Sequence, residues 1–191
     1  TCDPRHSRAH FNLFDEAQRR SLESILSSPL TPEHWYQAAL PVSLGGMGLR
    51  LAEAHSPAAF CSSISQTASL VNLMLGEQSC RRPVFDALQM LRDLTGDMSW
   101  TQASLMEPLQ QRTLSHKIDE VTHQVLITKA HSERDLARLK SVALQHSGDW
   151  LNVIPSKALG LSLHPKEFCV SACYRLGIPI FDSDGTCPEC N

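Results

Sequence analysis

Cys187 and Cys190 are spaced as Cys-x-x-Cys, and this pair is the clearest candidate for chemistry in the sequence. Two thiolates at that spacing can hold one tetrahedral zinc ion from a tight turn, here stiffened by Pro188. Two ligands make half a site. Cys169 and Cys173 lie one helical turn apart on a shared face and offer two more thiolates. Three arrangements stay open: a four-cysteine site, a half-knuckle completed by ligands beyond Asn191, and an inert or redox-exposed pair beside small buried thiols at 169 and 173.

Other constellations are incomplete. A two-metal centre wants paired aspartates, and no Asp-Asp pair occurs; Asp182-Ser183-Asp184 has a different spacing, and Gly185 makes it a solvated turn. Gly45-Gly46-Met47-Gly48 lacks the Lys-Ser/Thr of a phosphate loop and reads as a tight turn between helices. His131-Ser132-Glu133 with the later Cys pair is similar to the zinc deaminase pattern, in which His and two Cys hold zinc and Glu moves protons. That pattern has proline before the first Cys, where Thr186 stands here, and Glu133 is equally explained by the first turn of a helix. Cys2, Cys61 and Cys80 read as ordinary thiols, and His116 and His123 as surface residues. Arg5, His6, Arg8, His10, Arg19 and Arg20 make the N-terminal stretch locally basic. Arg134, Arg138 and Lys140 repeat this on a helix, with Arg134 and Arg138 four apart on one face. Such clusters either touch phosphates or form a solvated face.

The elements that would position these residues are helices. The 191 residues fit one ordinary domain or two small ones. Seventeen Lys and Arg against twenty Asp and Glu give −3, which excludes a polybasic tail and a strongly acidic disordered chain. With 42% apolar residues the chain can bury a core, and no run of about 18 apolar residues is present. Seven cysteines, odd in number and irregular in spacing, fit a reducing compartment better than a disulfide framework. A chain that opens on Thr1 with no charged-then-apolar leader, and stops just after a Cys-x-x-Cys, reads as a piece of a longer protein.

Apolar spacing predicts a helix over Phe14 to Ser27, and Thr31-Pro32-Glu33 opens a short one with Thr as N-cap, Pro at the first helical position and an acid in the first turn. Ser56-Pro57 repeats that start and predicts a small-residue helix to about Leu70. Further helices are predicted over Pro83 to Leu94, from Leu114 to about Ala130, after a capping box at Ser132-Glu133-Arg134-Asp135, and from His164-Pro165-Lys166-Glu167 to about Leu176, closed by Gly177. Only Ala158 to Leu163 alternates with a period of two. The expected fold class is mainly α, a helical bundle followed by a short helical linker with a terminal Cys-x-x-Cys turn.

Three stretches resemble one family. Trp35-Tyr36-Gln37-Ala38-Ala39-Leu40-Pro41 through Gly45-Gly46-Met47-Gly48-Leu49 resembles the segment just downstream of the palm in non-LTR retrotransposon reverse transcriptases, where Leu-Pro and then Gly-Gly-x-Gly-Leu lead into the thumb. The Ala-rich helix from Pro57 also fits that family. Asp149-Trp150-Leu151-Asn152-Val153-Ile154-Pro155 resembles the Asn-x-Leu/Ile-Pro linker motif of the elements that carry a C-terminal restriction-like endonuclease. Phe168 to Pro179 and the terminal Cys pair resemble the rest of that linker. The likeness runs from about Phe11 to the end.

The resemblance implies a thumb-like region over residues 1–145 and, over 146–191, a linker leading into a truncated zinc knuckle. Arg134, Arg138, Lys140 and Asn152 are the expected nucleic-acid contacts; Asn152 and Pro155 would shape the linker motif, and Cys187 and Cys190 would bind zinc. The implied partners are an RNA template with its DNA primer or target, read by backbone and shape. The implied setting is intracellular, nuclear at the site of action. No reaction is expected of this piece alone, the polymerase aspartates and endonuclease carboxylates lying outside it. The near-neutral charge fits a nucleic-acid clamp poorly. A degenerate or domesticated helical protein-interaction module, with no nucleic-acid role, is the alternative.

Overall fold

The first helix begins ten residues before its apolar stripe does. α1 spans Pro4–Leu26, with Pro4 at its first position and the Asp3 carboxylate accepting from the Arg5 amide at 3.0 Å. Its opening turns lack apolar periodicity because they are held by charge: Arg5 meets Asp86 at 3.1 Å and Arg8 meets Glu53 at 2.8 Å. The computed structural model describes residues 3–75, 81–105 and 108–181. Among them are eight α-helices, two 3-10 turns and no strand, so the protein is mainly α as its sequence predicts.

Local caps form where the sequence places them. α2, Pro32–Ala39, starts on Thr31, whose hydroxyl accepts from the His34 amide, while His34 Nδ1 accepts from the Thr31 amide. α6, Glu133–Val142, starts on Ser132, which accepts from the Asp135 amide at 3.1 Å. The Asp135 carboxylate does not return the bond; it turns to Arg138 at 2.6 Å. α8, Pro165–Leu176, carries a reciprocal cap, His164 accepting from Lys166 and Glu167 accepting from the His164 amide at 2.7 Å. Between α6 and α8 lies the single turn α7, Asp149–Asn152. The alternating segment near 160 is no strand: Ser156 and Leu161 exchange two backbone hydrogen bonds and close a loop.

Ser56-Pro57 is not a start. α3 runs Ala52–Leu75 with Pro57 inside it. Proline removes one N–H to the carbonyl four residues back, and the Ser56 hydroxyl donates to that Glu53 carbonyl at 2.9 Å instead. The true cap comes from another helix. Asp15 of α1 is buried, and its two oxygens accept from the amides of Ala52 at 2.7 Å and Glu53 at 3.0 Å. These are charge-assisted bonds to a positive helix end. Asp15→Ala is expected to destabilise the protein by about 2 kcal/mol, and Asp15→Asn, which keeps one acceptor, by about half as much. Thermal unfolding followed by circular dichroism checks this; an unchanged midpoint for the alanine variant would remove the cap from the list of stabilising contacts.

α3 packs with α4, Arg81–Thr95, and α5, Gln111–Thr128, around Ala58, Cys61, Ala87, Leu88, Leu91 and Leu114. Leu91 and Leu114 are enclosed here, each contributing about 2 kcal/mol by leaving water. A second core joins Leu22, Leu26 and Leu30 to Trp35 and Ala38 and to Ala172, Cys173 and Leu176 of α8. Residues on both sides of 145 share this second core.

Candidate functional site

Gln37 stands at the centre of a buried polar hub. It lies on α2 and is 2% exposed. Its Nε2 donates to the carbonyls of Gly45, at 3.1 Å, and Arg175, at 2.8 Å. Its Oε1 accepts from Arg138 Nη1 at 3.0 Å, so the side-chain amide is satisfied at both ends. Arg138 also donates to the Arg175 carbonyl, and its Nε and Nη2 both grip Asp135.

Arg175 completes the hub from α8. Its guanidinium donates from Nε to Gly46 at 2.9 Å, from Nη2 to Val42 at 2.7 Å and from Nη1 to Ser147 at 3.2 Å. All three acceptors are backbone carbonyls. Arg175 is 2% exposed, and burial pulls its pKa below the usual guanidinium range. The turn it grips is a 3-10 segment, Val42–Leu44, followed by Gly45 in the left-handed region. At Gly46 a side chain is impossible, since a Cβ would lie 1.9 Å from the Leu40 carbonyl oxygen. The hub therefore ties α2, the glycine turn, α6, the Ser147 turn and α8 into one unit. Trp150 of α7 joins it at the edge, packing on Phe168 of α8 with ring centres 5.8 Å apart.

The expected nucleic-acid contacts separate into two groups. Arg134 and Lys140 are exposed on α6, with no ion pair among the described residues, about a third of a helical turn apart around the axis. Arg138 points inward, and its donors serve Asp135, Gln37 and Arg175. Asn152 is the exposed last residue of α7, and Pro155 borders an apolar recess beneath α8. Cys187 and Cys190 lie outside the described residues, as do Asp182 and Asp184. Among the described residues no group of three or more His, Cys, Asp or Glu could hold a metal. Cys173 is buried, with burial and the neighbouring Cys169 raising its thiol's pKa, and Cys169 donates to the Ile25 carbonyl. The N-terminal arginines are neutralised where they stand: Arg19 pairs with Glu23 and Arg20 with Glu16, as Arg5 and Arg8 pair with Asp86 and Glu53.

Gln37 and Arg175 were not singled out by sequence. One pattern could have found Arg175: Phe168, Ala172, Arg175 and Leu176 follow one helical face, so the arginine occupies an apolar-stripe position. A second buried charge, Asp119 on α5, receives Arg50 at 3.1 Å and His55 at 3.2 Å. Ser115 lies one turn before it, buried, but its hydroxyl and His55 Nδ1 have no hydrogen-bond partner among the described residues. No Ser–His–Asp relay is therefore assembled.

No family model, no curated protein and no solved structure matches this chain. What the site can do is set by its own residues. Guanidinium groups do not exchange protons near neutrality, so the hub is a clamp and not an acid–base centre. An apolar groove of about 530 Å³ also runs along α1, lined by Phe14, Leu22, Ile25, Met47, Leu49 and Phe168. No helix among the described residues is long and apolar enough to cross a membrane.

Proposed function

We propose that this chain is a non-catalytic part of a retroelement RNA-directed DNA polymerase, helping to hold the RNA template and DNA primer and joining the polymerase to a following endonuclease. One observation carries the reading: the separate stretches that resemble that family, Gln37 with the glycine turn, Trp150 with α7, and Arg175 within α8, meet at one hub. A piece that orients two modules has to be stiff between them, and Arg175 and Arg138, bonded to the glycine turn, the Ser147 turn and the end of α8, supply stiffness. Arg134 and Lys140 would contact phosphates, with Arg138 holding α6 in place and Asn152 opening the Asn-x-Ile-Pro linker motif at the end of α7. Cys187 and Cys190 would give two thiolates to a zinc ion completed from beyond Asn191.

The test is a gel shift on an RNA–DNA hybrid at two salt concentrations. Binding that falls steeply with salt is expected, and the Arg134→Ala/Lys140→Ala double variant should lower the slope of log K against log salt by about 2. Absence of any hybrid binding at low salt would overturn the proposal. It would favour the alternative, a domesticated helical interaction module, for which the apolar groove along α1 is the specific observation.

A further inference from the structure

A cleft of about 450 Å³ opens between the end of α6, α7 and α8, on the outer side of the hub. Its size is that of a small-ligand site. Its walls differ in chemistry. Val142, Trp150 and Ile180 are apolar, and Tyr174 stands at the mouth, 62% exposed. Arg175 lines it as well, although that residue is almost wholly buried.

Arg175 is an unusual floor. A guanidinium has five N–H donors, and three of them go to the Gly46, Ser147 and Val42 carbonyls. One N–H on each terminal nitrogen is left over. No carboxylate pairs with Arg175 among the described residues, so the residue that lines the cleft carries a buried positive charge with no counter-ion of its own. Such a charge attracts an anion or an electron-rich ring far more strongly than an exposed arginine would.

We propose that this cleft binds one unpaired nucleotide of a single-stranded RNA or DNA segment. The base stacks against Tyr174 between the apolar walls, and a flanking phosphate lies towards the Arg175 charge. A bare anion would not use the three apolar walls, and an apolar side chain would not use the charge; a nucleotide uses both. The proposal rests on the nucleic-acid reading above and adds a second contact to it. Arg134 and Lys140 serve the duplex, and the cleft serves a strand that leaves it.

Fluorescence anisotropy with a labelled oligo-U 12-mer tests this, run beside the RNA–DNA hybrid. Two exposed positions allow variants that keep the fold, which circular dichroism verifies: Tyr174 and Val170, the latter 47% exposed and also on the cleft wall. Tyr174→Ala is expected to weaken oligo-U binding about tenfold or more. Val170→Glu, which sets a carboxylate against the phosphate, should do the same, while the isosteric Val170→Gln retains binding. Hybrid binding should be unchanged in all three. If the hybrid binds and oligo-U does not, the cleft proposal falls alone; if neither binds, the wider reading falls with it. Oligo-U binding untouched by Val170→Glu would place the strand elsewhere, and equal competition by an oligo-aspartate peptide would make the cleft a general anion site; either result overturns the proposal.

Discussion

Arg175→Met is expected to lower the stability of the protein by about 3–5 kcal/mol, with an unfolding midpoint roughly 10 °C lower. Methionine fills a similar volume, so packing is nearly preserved. What disappears is a donor to three carbonyls; Val42 keeps the Gly45 amide at 3.1 Å, while Gly46 and Ser147 lose the side-chain donor that serves them. An unsatisfied buried carbonyl costs about 1–3 kcal/mol. Against this stands the relief of removing a buried charge, which in some proteins exceeds the loss. Here the carbonyls decide the sign. Gly46 and Ser147 belong to two different turns, neither of which can repair its own orphan by forming more helix, and the guanidinium reaches both. Arg175→Lys should fall between the parent and the methionine variant, because an ammonium cannot span three divergent acceptors as a planar fork does. Urea and thermal unfolding measure the effect. A methionine variant as stable as the parent would mean that the charge costs as much as its bonds return.

The contrast between legible and illegible parts of this fold follows from how far each determinant reaches. Thr31-Pro32 and His164-Pro165 announced helices correctly because their caps are made by residues three positions away. Ser56-Pro57 carries the same letters and means something else, since the α3 cap is Asp15, 37 residues distant, and only the folded chain brings it there. The first turns of α1 were invisible to periodicity because they rest on ion pairs to Glu53 and Asp86 and on the single buried ring of Pro4, which sets no repeat. The hub shows the same division. Gly45 and Gly46 were legible as a turn, and Arg138 was legible as a cation on α6. Local spacing could not tell that Arg138 turns inward while Arg134 stays out, because that depends on Gln37, 101 residues away. A charged residue on an apolar stripe, as Arg175 is, deserves to be read as buried before it is read as surface.

The hub also changes the meaning of the chain's modest charge. Of the cations the sequence offers to a phosphate, Arg138 and Arg175 are turned inward, and Arg5, Arg8, Arg19 and Arg20 already face carboxylates. The proposed duplex contact therefore rests on two side chains of α6, whose orientation the hub itself fixes through Arg138. A stability defect at the hub and a binding defect at Arg134 are then linked by geometry, and destabilising hub variants should be compared with the parent only at temperatures where both are folded.

Gly46→Ala is expected to be more damaging still, and Gly48→Ala far milder, although the two glycines are two residues apart. At Gly46 an added Cβ would lie 1.9 Å from the Leu40 oxygen, 2.4 Å from the Leu40 carbonyl carbon and 2.7 Å from the Gln37 oxygen. Every obstacle is backbone, so no rotamer change relieves it. The turn is also held from both sides, with the Gly46 amide donating to Pro41 at 3.1 Å and its carbonyl accepting from Arg175. Moving it breaks both bonds. A loss above about 4 kcal/mol, or failure to fold cooperatively, is the expected result. At Gly48 the space is open, and the only penalty is the left-handed φ of +79°, about 1–2 kcal/mol for an L side chain, or a midpoint lower by about 2–8 °C. The ranking is what matters, and a Gly48 variant worse than the Gly46 variant would refute the steric account. Should Gly46→Ala fold at all, combining it with Arg175→Met should cost clearly less than the sum of the two, because each breaks the same Gly46–Arg175 bond and residues sharing a bond do not add.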